Sequence, residues 1–110
     1  MAIVNAQLTT NALDAITVPA SKSYAITNIL VCNTGAADAT FDLHFIASGS
    51  ALNNKITRVI NNLTLPASET FTFDSERIVL EAGDKVSFVA SPDIGAALTD
   101  LATTVSYLEV

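Results

Sequence analysis

The chain contains one histidine, His44, which is the first candidate for acid–base chemistry. A catalytic histidine needs a Ser, Thr or Cys nucleophile within hydrogen-bonding reach and a third group that orients its ring. His44 lies in residues 40–47, where apolar residues alternate with polar ones and where Asp42 shares its face. Alternation of this kind is typical of a strand with one buried face. We therefore predict that His44 faces solvent or an interface and takes no part in catalysis.

The eleven acidic residues are the second candidate, because paired carboxylates support glycoside hydrolysis and clustered ones bind calcium. Most of them fall at predicted turns, where a carboxylate accepts backbone hydrogen bonds: Asp14, Asp38, Asp74, Glu81, Asp84, Asp93 and Asp100. Loop calcium sites built on Asp93 with Asp100, or on Asp74 with Glu76, stay open as alternatives, although no EF-hand-type loop is present. We predict no catalytic residue, no metal ligand and no cofactor.

Other chemistries find little support in the residue types. The single cysteine, Cys32, cannot form an internal disulfide or a zinc site, and in the apolar run 29–32 it is expected to pack as a small hydrophobic side chain. The four glycines form no phosphate-binding loop. Because Trp is absent, a sugar-stacking face is disfavoured, and Tyr24 and Tyr107 are predicted to be core or rim residues.

Length and composition predict one domain over residues 1–110. Hydrophobic residues make up 50% of the chain, so the chain is not disordered. Charged residues make up only 15%, against about 25% in a typical soluble domain. Two explanations stay open: a partner subunit covers part of the surface, or the surface consists of Ala, Thr, Ser and Asn.

The charge pattern excludes two classes of partner. The net charge is −6, and the five basic residues are scattered. Nucleic-acid binding needs a basic stripe, and anionic membrane surfaces repel an acidic chain. The first residues show no signal-peptide pattern, and no apolar run approaches the roughly 20 residues of a membrane span. We therefore expect no nucleic acid, no membrane, and synthesis in a cytoplasm.

Short apolar stretches separated by turn residues predict strands at 3–8, 15–18, 24–33, 40–47, 63–65, 70–73, 78–80, 85–90 and 102–109. Residues 91–100 are predicted to be a loop. Residues 51–63 fit either a helix or a strand, and their β-branched residues favour the strand. The pattern predicts an all-β fold: a two-layer antiparallel β-sandwich, jelly-roll-like, with about eight or nine short strands.

A ten-residue pattern occurs twice, at residues 18–27 and 65–74, 47 residues apart. In both copies an apolar residue precedes Pro-Ala-Ser, and a charged, a polar and an aromatic residue follow. We predict that each copy ends a strand at the proline, turns, and starts the next strand with an aromatic that fills the core. Two similar corners indicate two comparable halves, unless common turn residues recur by coincidence.

Four segments in order resemble small virion proteins of tailed bacteriophages, particularly those of marine and cyanobacterial phages: VPASKSY at 18–24, ILVCNT at 29–34, LPASET at 65–70 and IVLEAGDKV at 78–86. The resemblance spans about residues 16–110. It implies a capsid decoration or cement protein, or a tail- or fibre-associated protein, located in the virion and made in the host cytoplasm. It implies no active site.

The expected partners are other copies of the chain and other virion proteins such as capsid or tail proteins. Because oligomers are usually symmetric, capsid local symmetry suggests that the homo-oligomer is a trimer. The alternative function is a carbohydrate-binding or host-attachment module, which the same fold could serve. A small hydrolase is a third hypothesis, for which His44 and the carboxylates give little support.

Overall fold

The computed structural model describes residues 2–9, 12–53, 55–73, 78–91 and 98–110. These residues form nine strands and no helix: β1 (Ala2–Thr9), β2 (Leu13–Thr17), β3 (Tyr24–Asn33), β4 (Ala39–Ile46), β5 (Arg58–Leu65), β6 (Thr70–Phe73), β7 (Ile78–Leu80), β8 (Lys85–Ser91) and β9 (Leu98–Glu109). The predicted all-β sandwich of eight or nine short strands is therefore confirmed. The described residues contain no helix that could span a membrane.

The strands form two antiparallel sheets that pack face to face. Sheet A has the order β1-β9-β3-β6, and β7 also pairs with β3, so that β6 and β7 share one edge. Sheet B has the order β2-β8-β4-β5. The pairs nest around the β4–β5 pair: β3 pairs with β6 and β7, β2 with β8, and β1 with β9. Nested pairing across two sheets is the jelly-roll arrangement.

One apolar core lies between the sheets, and the alternation in the sequence correctly identifies its residues. Leu43 on β4 and Val86 and Phe88 on β8 are fully buried in sheet B, opposite Ile29 and Val105 of sheet A. Each such side chain contributes about 1.5–3 kcal/mol through burial. The pattern also fixes the register, because a slip of one residue would turn these side chains to the outside.

The two copies of the Pro-Ala-Ser pattern form the same corner, as predicted. The first joins β2 to β3 and the second joins β5 to β6, so that both cross from sheet B to sheet A. The N–H of Lys22 donates to the carbonyl of Pro19 over 3.3 Å, and the N–H of Glu69 donates to that of Pro66 over 3.2 Å. In both copies the serine has a φ of 65°. The repeat therefore encodes one turn geometry, used twice.

Replacing Ser21 and Ser68 by glycine should stabilise the protein. A four-residue turn with positive φ at its third position favours Gly or Asn there. An L-residue in this conformation costs about 1–2 kcal/mol, of which the larger chain entropy of glycine offsets a part. We expect a gain of up to about 1 kcal/mol at each site in urea unfolding. Ser→Ala at the same sites is the control, since alanine keeps the strain, and an equal gain from alanine would contradict the explanation.

Several strand boundaries differ from the prediction, by one residue at the ends of β1 and β4 and by more at β2 and β9. The strand predicted at 15–18 begins at Leu13 and ends at Thr17. The last strand begins at Leu98 instead of residue 102, so the end of the predicted loop 91–100 is part of β9, and Ser91 belongs to β8. Residues 92–97 lie outside the described residues.

Of residues 51–63, the structure describes all but residue 54: residues 51–53 and 55–57 lie outside strands, and a strand follows. The helical spacing corresponds to a single turn, in which the N–H of Thr57 donates to the carbonyl of Asn53 over 2.8 Å. From Arg58 onwards the chain is β5. The preference for a strand is thus confirmed for the second half of this segment only.

Candidate functional site

The outer face of sheet B carries a row of polar side chains at one level across its four strands. The register places Asp14 of β2 opposite Ser87 of β8, Ser87 opposite His44 of β4, and His44 opposite Arg58 of β5. We call Asp14, Ser87, His44 and Arg58 the polar row. Because strand residues alternate between faces, a sequence that buries Leu43 must turn His44 outward.

His44 is nevertheless fully buried, and the prediction that it faces solvent or an interface is wrong. The connection between β4 and β5 folds back beside the outer face of β4, where the N–H of Phe45 donates to the carbonyl of Thr57 over 3.0 Å. Thr57 is itself buried, and its Oγ1 lies 2.8 Å from Nδ1 of His44. Alternation separates the two faces of a strand, but it does not reveal which loop covers the outer one.

The hydrogen bonds of Thr57 determine the tautomer of His44. The Thr57 hydroxyl donates to the carbonyl of Asn53 over 2.9 Å and accepts from the N–H of Asn53 over 3.0 Å. A hydroxyl has one hydrogen, so the contact with the ring requires that Nδ1 of His44 carries a proton and donates. Nε2 is then an unprotonated acceptor, and it has no hydrogen-bond partner among the described residues.

Burial lowers the pKa of His44 below its ordinary value of 6.5. The negative charge of Asp42 acts in the opposite direction, whereas the positive charge of Arg58 lowers the pKa further. The imidazole is therefore neutral at neutral pH. A neutral ring with a free Nε2 has the form of a general base, but a general base must also be within reach of its substrate.

Ser87 is the hydroxyl residue paired with His44, and its geometry does not make it a nucleophile. Its Oγ donates to Oδ1 of Asp14, and Ser87 is fully buried. In a hydrolase triad the serine proton goes to the imidazole, and the carboxylate holds the other side of that ring. Asp14, Ser87 and His44 are the right residue types, but the Ser87 hydroxyl donates to the exposed Asp14 carboxylate and the ring of His44 contacts Thr57 instead.

Asp42 holds a bulge in β5. Asn61 and Asn62 together stand opposite Asp42, and Asn62 has a φ of 47°. The N–H of Asn62 donates to Oδ1 of Asp42 over 2.6 Å, while Oδ2 lies 3.4 Å from the Arg58 guanidinium. Arg58 also donates to Oδ1 of Asn61 over 2.6 Å. Asp42 is thus a buried carboxylate with a backbone partner and an ionic partner, which the sequence alone did not identify.

The other carboxylates are dispersed. Asp38, Glu81 and Asp84 lie outside strands as predicted, and Asp84 accepts the N–H of Glu81 over 2.9 Å. Asp14 and Asp100 lie in β2 and β9, so the turn prediction is wrong for these two. Asp74, Glu76 and Asp93 lie outside the described residues. Both calcium sites considered above include at least one of these three residues. Among the residues that the structure describes, no group of three or more His, Cys, Asp or Glu is placed to hold a metal ion.

A shallow cleft of about 300 Å³ is lined by Ala2, Lys22, Tyr24, Tyr107 and Glu109. The two tyrosine rings stack with centroids 4.4 Å apart and planes inclined by 30°, and Nζ of Lys22 lies 3.0 Å from Glu109. Both tyrosines are half-buried and pack against the core, which confirms the prediction of core or rim positions. The cleft therefore combines aromatic rings with exposed polar groups.

The outer face of sheet A has a different character. Apart from the exposed Asp100, which shares the alternation of Ala102 on β9, its outward side chains are uncharged across four strands: Ile3 and Asn5 on β1, Ala102, Thr104, Ser106 and Leu108 on β9, Ala25, Leu30 and Cys32 on β3, and Thr70 and Thr72 on β6. We call this set the sheet A face. The charged residues of the sheet A strands are Asp100 and Glu109, near the two ends of β9.

Cys32 lies half-buried on the sheet A face, opposite Thr70 and Ala102. Its neighbours in the chain, Val31 and Asn33, point inward and are buried. The prediction that Cys32 packs as a small hydrophobic residue therefore holds only in part, since one side of it is open.

Comparison of the chain with protein-family models, with curated proteins and with solved structures finds no match. The features available for a functional inference are thus the polar row, the tyrosine cleft and the sheet A face.

Proposed function

We propose that this chain is a non-enzymatic structural protein of a tailed-bacteriophage virion, acting as a capsid decoration or cement protein or as a tail- or fibre-associated protein. The sequence resemblance over about residues 16–110 supports a virion role. The observation that carries the proposal is the uncharged sheet A face in a chain of net charge −6. The centres of protein interfaces are depleted of charged residues, because burying an unpaired charge is costly.

The proposed partners are other copies of this chain and a capsid or tail protein. On the sheet A face Thr104 donates to Asn5 and Ser106 contacts Thr27, whereas the exposed Thr70 and Thr72 offer hydroxyl groups to a partner or to bridging waters. The acidic net charge opposes nucleic-acid and membrane partners. A trimer, suggested by capsid symmetry, stays a prediction that mass photometry of the purified chain tests.

Mass spectrometry of purified virions tests the location, and absence of the chain from them would exclude this role. Ala102→Arg, in the middle of the sheet A face, should reduce binding to particles at least about tenfold, or ~1.4 kcal/mol. Thr17→Arg is the matched control, because Thr17 is exposed on sheet B. Equal loss in both variants would point to unfolding or charge instead of this face.

The alternative function, a carbohydrate-binding or host-attachment module, is favoured by the tyrosine cleft. Ligand sites combine apolar rings with a few polar groups, as Tyr24, Tyr107, Lys22 and Glu109 do. A glycan array tests this directly. Binding should be lost in Lys22→Ala and Glu109→Ala, whose side chains are exposed, so that the fold is retained. An array without hits, or glycan binding that is retained in both variants, would contradict the proposal that the cleft binds carbohydrate.

A further inference from the structure

Three of the four sheet edges carry features that oppose pairing with another strand. β2 has five residues, includes the charged Asp14, and changes register between Asp14 and Ile16. β5 carries the bulge at Asn62 and the charged Arg58. The third edge is divided between β6 and β7, which have four and three residues. Short strands, bulges and charges are the features by which natural sheets avoid edge-to-edge contacts.

The fourth edge, β1, lacks these features from Ala2 to Gln7, and its one register change against β9 lies beyond that stretch, between Gln7 and Thr9. It contains eight residues without a charge or a proline, and its register against β9 is uninterrupted from Ala2 to Gln7. In the described part of the chain, only β9 pairs with it. Alternate backbone N–H and C=O groups of an edge strand point away from its neighbour and can pair with another strand. Ile3 adds an apolar side chain that is 61% exposed.

We propose that β1 pairs antiparallel with β1 of a second copy of this chain, so that two A sheets join into one continuous sheet across a two-fold axis. A two-fold contact brings the same patch of both copies together. The chain as a whole is acidic, yet this patch is uncharged, so two copies meet here without like-charge contacts. Of the described edges, β1 alone suits pairing, which favours self-contact over a contact between different edges.

The alternation of β1 restricts the register of this pairing. Val4 packs against the core, so it must stay on the inner side in both copies. Pairing centred on Val4 meets this condition over residues 2–6 and sets Ile3 opposite Asn5 of the second copy. Because the contact uses β1 on both sides, it closes at two copies. This edge therefore favours a dimer over the trimer that capsid symmetry suggests.

The inference deepens the proposed function by naming a self-association surface, but it does not depend on a virion location. Its test uses the full isolated chain, whereas the virion role is tested by mass spectrometry of particles. A monomeric chain found in virions would overturn the dimer alone, and a dimeric chain absent from virions would overturn the virion role alone.

Sedimentation velocity over a range of concentrations is the first test. We expect a dimer for the native chain and a dissociation constant raised at least about 100-fold in Ile3→Lys/Asn5→Lys, because like charges would meet on the edge. Thr17→Lys/Val59→Lys is the control of equal charge, since both residues are exposed on strands of sheet B, away from this edge. A native monomer, a trimer, or a dimer that this control breaks and Ile3→Lys/Asn5→Lys does not, would overturn the proposal.

Disulfide formation is a second test that does not require disruption of the contact. In a Cys32→Ser background, Ile3→Cys/Asn5→Cys should form interchain disulfides on mild oxidation, because opposite residues of paired strands have Cα atoms within disulfide range. Asn5→Cys alone should not cross-link at this register. Absence of interchain disulfides in the double variant would contradict pairing centred on Val4.

Discussion

Replacing Asp42 with alanine is expected to lower the free energy of unfolding by about 3 kcal/mol, near the lower end of the cost of breaking a buried ion pair. The change would leave the N–H of Asn62 without its acceptor and the Arg58 guanidinium without its carboxylate. Nε of Arg58 is already buried without a partner, so the remaining charge would be poorly compensated. A loss of this size is a large share of the roughly 5–15 kcal/mol that stabilises a domain.

Two variants serve as comparisons for this result. Asp42→Asn keeps an oxygen for the N–H of Asn62 but removes the charge, so we expect about half of the loss. Asp38→Ala removes an exposed carboxylate that accepts one N–H from Ala67 over 3.3 Å, and we expect a change within about 0.5 kcal/mol. Urea unfolding followed by circular dichroism measures all three. If Asp42→Ala cost no more than Asp38→Ala, the bulge would not depend on this carboxylate.

Stability is expected to fall as the pH drops below 6.5, because the folded state holds His44 in its neutral form. Burial lowers the pKa of this ring in the folded state, whereas the unfolded chain binds a proton near pH 6.5. Below that pH the unfolded state is therefore favoured by up to about 1.4 kcal/mol per pH unit, until the lowered folded-state pKa is reached. Well above pH 6.5 the ring is neutral in both states, so it contributes no pH dependence there.

His44→Leu isolates this effect. Leucine has no titrating group, and it removes the buried Nε2 that lacks a partner. Thr57 keeps both of its hydrogen bonds to Asn53 in the variant. We expect the unfolding free energy of the variant to be nearly flat between pH 5 and 6.5, the interval set by the ordinary pKa values of His and carboxylates. A slope equal to that of the native chain would assign the dependence to groups other than His44.

The core could be predicted from the sequence because the pattern that marks it, alternation of apolar and polar residues, lies within single strands. Phe41 and Leu43 alternate with polar residues, as do Val86 and Phe88, and all four are buried. The two Pro-Ala-Ser corners could also be predicted, since proline followed by small residues ends a strand and turns the chain. In these cases the amino acids that determine the structure are neighbours in the chain.

The environment of His44 could not be predicted, because it depends on distant segments. Thr57 covers the ring from a loop 13 residues away, and Ser87 lies beside it on another strand. Asp42 likewise appears as an ordinary polar strand residue until the bulge brings Asn62 to it. Turn chemistry also misassigned Asp14 and Asp100, because aspartate favours turns in general but here stands near the ends of β2 and β9, inside the strands.

The nested strand pairing has a consequence for how the chain folds as it is synthesised. Ala2 pairs with Tyr107, so β1 can pair with its neighbour in the sheet only after β9 has been synthesised. The β4–β5 pair closes the shortest loop and should form early, with the outer pairs following in order of increasing separation. Folds dominated by such distant pairing reach the native state in milliseconds to seconds. Until β9 has been synthesised, neither edge of β1 is paired. The strand that we propose pairs with a second copy is therefore also the strand whose partner within the chain is synthesised last.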